Sequence, residues 1–280
     1  VNTTTPEKID TPVLDLLANL VRDADTRREE AEQKLREADN RARILSSLSL
    51  AATNQSFAEI FHIFKKEAEF FDSLSSDKAV SAELEKLRAN AEAKARENAK
   101  RFAETFAAYC EKAQMPLDTT SRHPRYSFAG GFIRVEVDER RLQAIVSIRD
   151  GANDPRPLDV EPLAKLLRKE YDRLFDRPFD AERFLPGVRK AYTAVLREEK
   201  RSIGEEVPLR RVAHRLSKNW SNFRLDEFNI DLARAMKSGQ PDKEGYRLHL
   251  GHTRDTRQGM LLHGFEGSGY VGFISFKKGE

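Results

Sequence analysis

Along the first third of the chain, apolar positions recur with a seven-residue period. Leu14, Val21, Arg28, Leu35 and Ala42 form one series, and Leu17, Ala24, Ala31, Ala38 and Leu45 form a companion series three residues on. Two series interleaved in this way are the buried positions of a coiled-coil helix. Alanine dominates the second series and Arg28 interrupts the first, so the seam predicts close helix approach with little buried area. The segment Ser56 to Phe71, SFAEIFHIFKKEAEFF, opens with a capping-type serine and a glutamate three residues later. It sets Phe57, Ile60, Phe61, Phe64, Ala68 and Phe71 on one helical face, which predicts a short aromatic core helix. Further on the period lengthens to eleven, in the series Leu84, Ala95, Phe106; Leu87, Asn98, Tyr109; and Ala91, Phe102, Ala113. An eleven-residue repeat, about 3.67 residues per turn, predicts a nearly straight helix. Ala79 to Ala113 would run for about 50 Å, with Pro116 as its stop.

These patterns predict a polar, disordered tail over residues 1–11 and a helical coiled-coil rod over 12–115. Leu14, Leu17, Val21, Leu35, Leu45, Leu84, Leu87, Phe102 and Phe106 are its expected self-association residues. At Tyr126 the period drops to two. Phe132, Arg134, Glu136 and Asp138 fall on one face, Ile133, Val135 and Val137 on the other, and Leu142 to Arg149 completes a β-hairpin. NDPRPLD reads as a loop into a helix from Val160 to Phe175, closing a connecting region over 116–180. Asp180 is the expected cap of the next helix, which runs to about Arg201.

The helical pattern breaks at GEEVP, restarts as LRRVAHRLS with Leu209, Val212 and Leu216 as its buried stripe, and restarts again as LDEFNIDLARAMKSG with Leu225, Phe228, Leu232 and Ala235. Pro208 suits a first helical turn. Two strand-like runs follow, YRLHL and GMLLHGF. Helix, short helix, second helix, strand, basic loop, strand: over residues 181–280 this order resembles the winged helix-turn-helix fold. The fold class expected is mainly α with small β elements, a helical coiled-coil rod followed by an α+β winged-helix-like domain. The resemblance implies that the second helix of the turn enters a major groove and that the wing touches backbone or minor groove. On the second helix Asp226, Glu227 and Asp231 carry the wrong sign for phosphates, although acidic residues suit the positive end of a helix dipole. The residues expected to hold nucleic acid are Arg210, Arg211, Arg215, Lys218, Arg234, Lys237, Arg254 and Arg257.

Lys and Arg number 49 against 46 Asp and Glu, so any nucleic-acid affinity must come from local patches. One cysteine, Cys110, excludes an internal disulfide and fits a reducing, cytoplasmic setting. No apolar run has membrane-spanning length, and the polar start VNTTTPEKIDTP carries no signal-peptide core. GSGYVG, Gly267 to Gly272, matches a dinucleotide fingerprint but is followed by a strand-like FISFKKGE where a helix is needed. His249, His252 and His263 lack the spacing of a zinc site. Cys110 and His123 make no convincing nucleophile pair, and Glu136 with Asp138 reads as a solvated sheet face.

With no catalytic residue, metal or cofactor expected, the sequence points to a non-catalytic, bacterial-type homo-oligomer that contacts the DNA backbone. A rival expectation is an accessory subunit docked on a larger ATPase or nuclease, in chromosome maintenance or antiviral phage defence. The acidic helix at Asp226 to Asp231 and aromatics at Trp220 and Phe223 favour that rival.

Overall fold

The computed structural model describes residues 11–74, 78–149, 153–263 and 270–279. Of the expected N-terminal tail only Thr11 is described, and Gly267, Ser268 and Gly269 of the glycine fingerprint lie outside the described residues. The fold is mainly α, with a four-stranded and a three-stranded antiparallel sheet. None of the described helices is long and apolar enough to cross a membrane. The chain divides into two compact units, Val1–Ala93 and Lys94–Glu280. The division falls well before residue 115, where the sequence had placed the end of the rod.

In the first unit, α1 is a single 43-residue helix, Thr11–Thr53, about 65 Å long at 1.5 Å per residue. Every described side chain from Pro12 to Arg43 is exposed; Ile44, Leu48 and Ala51 are the first to turn inward. Gln55, at φ 52°, helps reverse the chain into α2 (Phe57–Lys66), which α3 (Ala68–Ser73) follows. Ile60 and Phe64 of α2 pack with Leu48, Ala51 and Ala91, and Phe71 lies 4.4 Å from Phe64 between ring centres. Leu84 and Leu87, on α4 (Lys78–Lys100), pack against this same cluster. They belong to a core within one chain and not to an open seam, whereas Leu17, Val21, Leu35 and Leu45 stay exposed.

The second unit explains why the helix after α4 does not extend a rod. Phe102, Phe106 and Cys110 of α5 (Phe102–Lys112) are buried. Phe106 meets Tyr126 at 5.0 Å and Phe128 at 6.4 Å between ring centres. The two phenylalanines expected on a self-association surface are therefore core residues beneath the sheet. That sheet runs β1 (Arg125–Phe128), β2 (Ile133–Asp138), β3 (Gln143–Ile148), β4 (Asn153–Pro157) in spatial order. The central pair runs from Ile133 opposite Ile148 to Asp138 opposite Gln143, with Ile133, Val135 and Val137 buried and Arg134 and Glu136 exposed. Two features depart from the sequence expectation. Phe132 is buried, 5.8 Å from Phe175, instead of sharing the outer face. NDPRP is an edge strand, the one place where a sheet accommodates proline without losing ladder bonds.

Helix α6 (Val160–Tyr171) continues into a π-helical turn, Asp172–Asp176. Asp180 caps α7 (Ala181–Glu199) by accepting from the Arg183 amide at 3.2 Å. Tyr192 anchors the glycine break that follows: its hydroxyl accepts from the Gly204 amide at 3.0 Å and donates to the Glu205 carbonyl at 2.8 Å. After the two-residue strand β5 (Val207–Pro208) come α8 (Leu209–Asn219) and α9 (Leu225–Ser238). Strands β6 (Tyr246–Thr253) and β7 (Tyr270–Lys278) complete the second sheet in the order β5-β7-β6. The second long strand is thus the segment around FISFKK. Among the described residues of GMLLHGF, Met260 makes an isolated bridge to Val271; Gly264 and Phe265 lie outside the described residues. Leu209, Val212, Leu216, Phe228, Leu232 and Ala235 all enter one core with α7 and this sheet.

Candidate nucleic-acid interface

Helix α9 is not presented to solvent as a reading helix would be. Arg173 of the π-helical turn donates to Asp226 at 2.7 Å and also pairs with Glu227. Arg177 donates to Asp231 at 2.5 Å. Burial pushes the Asp226 carboxyl up, but the bonds from Arg173 and Arg224 outweigh it and hold the group below its ordinary range. At Asp231 burial wins over Arg177, and the carboxyl is raised. The acidic residues that the sequence left facing phosphates are turned onto arginines of their own chain. Arg234 is corrected too: its guanidinium donates to the carbonyls of Phe175 and Arg177, so it braces the segment before α7 instead of reaching outward. Lys237, in the last turn, is exposed.

On α8 the expected phosphate-binding arginines separate into two kinds. Arg211 pairs with Glu199 and Glu198, and Arg215 with Glu198, in exposed contacts. Those pairs offset much of their charge, although pairs of this exposure hold only about 0–1 kcal/mol and exchange readily. Arg210 forms no ion pair among the described residues; it donates to the Gln258 carbonyl at 3.2 Å and the Gly259 carbonyl at 2.9 Å, tying α8 to the segment after β6. Arg254, Arg257 and Lys218 are exposed. Asp255 accepts from the Arg257 amide at 2.8 Å, forming a local turn that presents the loop.

Arg210 also lines a groove of about 310 Å³ together with Arg134 of β2 and Arg149 at the end of β3. Thr256, Ser147 and Tyr270 add polar groups, and none of the described residues lining this groove is a carboxylate. Arg134 donates to the Gly131 carbonyl at 3.1 Å, which orients its guanidinium. A larger cleft of about 1220 Å³ shares Gly131, Arg134 and Ser147 and does contain acids, Asp118 and Glu136. Both are engaged: Asp118 accepts from the consecutive amides of Gly130 and Gly131 at 2.9 and 2.7 Å, and Glu136 pairs with Arg125 at 3.4 Å. Gly130 and Gly131 have φ of 68° and 76°, left-handed backbone that lets both amides point at one anion. The groove is braced by His263, whose ring lies 5.8 Å from Phe132 and 4.7 Å from Phe175. Burial lowers the basicity of His263; a hydrogen bond with the Ala129 backbone works the other way.

The remaining constellations stay apart. His249 is on β6 and exposed, His263 is in the ring cluster, and among the described residues no three His, Cys, Asp or Glu side chains converge. Burial pushes the Cys110 thiol up to about 12, and His123 contacts the Tyr126 hydroxyl and Glu139, at 3.1 and 2.9 Å. Asp138 accepts from the Arg141 amide at 3.0 Å instead of joining Glu136. No protein-family model matches the chain, and no curated protein or solved structure resembles it at a significant level.

Arg134 and Arg149, which line this groove, were not among the residues expected to hold nucleic acid. Alternation puts Arg134 on the outer face of its strand, but the approach of α8 to that face is a long-range event with no local signature.

Proposed function

We propose that the chain is a non-catalytic, self-associating cytoplasmic protein that grips the DNA backbone through the arginine groove of its second unit. The observation that carries this reading is the meeting of Arg134, Arg149 and Arg210 along one groove, among whose described lining residues there is no carboxylate. Guanidinium groups pair with phosphate oxygens in a bidentate fashion, and each phosphate contact releases condensed counterions. The exposed Arg254, Arg257 and Lys218 extend the same sign of charge without demanding a sequence. The order α7, β5, α8, α9, β6, β7, with β5 pairing β7 at Val207 opposite Ile274, supports the winged-helix resemblance. A covered α9 argues for backbone contact over base reading. Self-association rests on α1, whose apolar residues have no cover within the described chain from Pro12 to Arg43.

The accessory-subunit reading loses the features that favoured it. Asp226 and Asp231 are buried among arginines, and Trp220 and Phe223 pack against the core of their own unit. Binding of a mixed-sequence duplex, titrated at 50 and 200 mM salt, tests the proposal. The expected outcome is an affinity that falls with a log–log slope of about −3 per copy for three phosphate contacts, nearly independent of sequence. Absence of duplex binding at the lower salt rejects it.

A further inference from the structure

The two rows that flank the α1 seam carry opposite charge. Preceding the Leu14 series are Arg27, Lys34 and Arg41; following the Leu17 series are Asp25, Glu32 and Asp39. All six side chains are exposed on one uninterrupted helix, and among the described residues Arg27, Lys34, Arg41 and Asp39 take part in no ion pair within the chain. In a parallel pair of helices, each residue of the first row faces the second-row residue five positions later on the other helix. Arg27 then meets the partner's Glu32 and Lys34 meets the partner's Asp39, and symmetry repeats both. In an antiparallel pair each row faces itself, so any contact these six charges make with one another is between like charges.

We propose that α1 binds α1 of a second copy of this chain, parallel and in register, along residues 14–45. This deepens the self-association reading above and rests on it. Alanine at 24, 31 and 38 lets the helix axes come close enough for the short Asp39 side chain to reach across to the partner's Lys34. Register follows from bulk and from Arg28. With the copies aligned, Leu17, Val21, Leu35 and Leu45 each meet their own kind, and the two Arg28 side chains share one polar layer. A slip of one heptad would set each Arg28 against an apolar residue, Leu35 on one side and Val21 on the other. Like charge in the shared layer is relieved from within each helix, since Arg28 lies 3.5 Å from Asp25 and 3.8 Å from Glu32, both of the flanking acidic row. A polar layer of this kind fixes register at some cost in affinity.

Disulfide trapping in the full-length protein, without nucleic acid, tests orientation. Ala24→Cys and Ala38→Cys lie about 21 Å apart along the helix. Each variant alone should form a disulfide-linked dimer under mild oxidation, and an equal mixture should yield no 24-to-38 product. A 24-to-38 product, or no disulfide from either variant, overturns the proposal. Sedimentation supplies an independent measure: wild type should sediment as two copies, and R27E/K34E should weaken self-association by about ten- to a hundred-fold. Adding E32K/D39K should restore pairing as a mixed dimer; failure of that rescue, or a larger oligomer, also overturns it. Because no DNA is present, loss of duplex binding elsewhere leaves this outcome untouched.

Discussion

Arg173 and Asp226 are 53 residues apart in sequence, and the guanidinium donates to the carboxylate at 2.7 Å. The contact clamps the start of α9 to the π-helical turn after α6. Arg173→Ala leaves a carboxylate whose side chain is only 4% exposed without its strongest partner, and breaking a buried pair by removing one member costs about 3 kcal/mol. Chemical denaturation should show that loss, while R173M/D226L should recover most of it. If R173A unfolds with the wild-type midpoint, this pair contributes nothing and α9 is held by its apolar face and the contacts of Asp231 and Arg234.

The two classes of arginine should respond differently to substitution. Arg134→Glu, Arg149→Glu or Arg210→Glu places an acid among the groove's arginines, and each should weaken duplex binding by about ten-fold and reduce the salt slope by about one. Arg211→Glu and Arg215→Glu act where Glu198 and Glu199 already offset the charge, so their effect should be several-fold smaller. Equal losses across all five variants would move the interface from the groove to the α8 surface.

Gly187 lies beneath Trp220, and a Cβ built there would come within 2.6 Å of the indole. Gly187→Ala should displace the ring and destabilise the unit by about 1–3 kcal/mol. Trp220 is the only tryptophan, so its emission reports the displacement directly. An unchanged spectrum with unchanged stability would mean the ring has room to spare.

Burial holds the folded His263 below the ordinary histidine value, with Arg234 and Arg149 lowering it further and Ala129 and Asp118 raising it. The neutral ring is favoured by the fold. Its stabilisation is therefore complete above about pH 6.5, the unfolded value, and is lost as pH falls through the lower folded value. Thermal midpoints of wild type should drop more than those of His263→Phe, which keeps a ring against Phe175, as pH falls below about 6.5. Parallel curves would remove His263 from the acid response.

Elements were legible where periodicity is local. The segment with seven-residue spacing is helical, as α1, and the alternation in β2 and β3 and the stripes of α8 and α9 appear as buried faces in the structure. Misreadings came where a distant segment supplied the cover. Phe102 and Phe106 kept a helical period, but Tyr126 and Phe128 decided which surface they face. The acidic start of α9 looked solvent-facing because Arg173 and Arg177 are some fifty residues upstream. NDPRP resembles a loop by composition, since proline is tolerated in a strand only when the edge leaves its missing donor unneeded. The groove was least legible of all, because its three arginines come from β2, the end of β3 and α8.

Cys110 is 1% exposed, and its thiol is held protonated. Maleimide dyes react with thiolate that they can reach, so the native fold should stay dark to them while a cysteine placed on α1 labels alone. The same silence becomes a clock when the protein is stressed: the moment at which Cys110 takes up dye dates the opening of the second unit, with no reporter added.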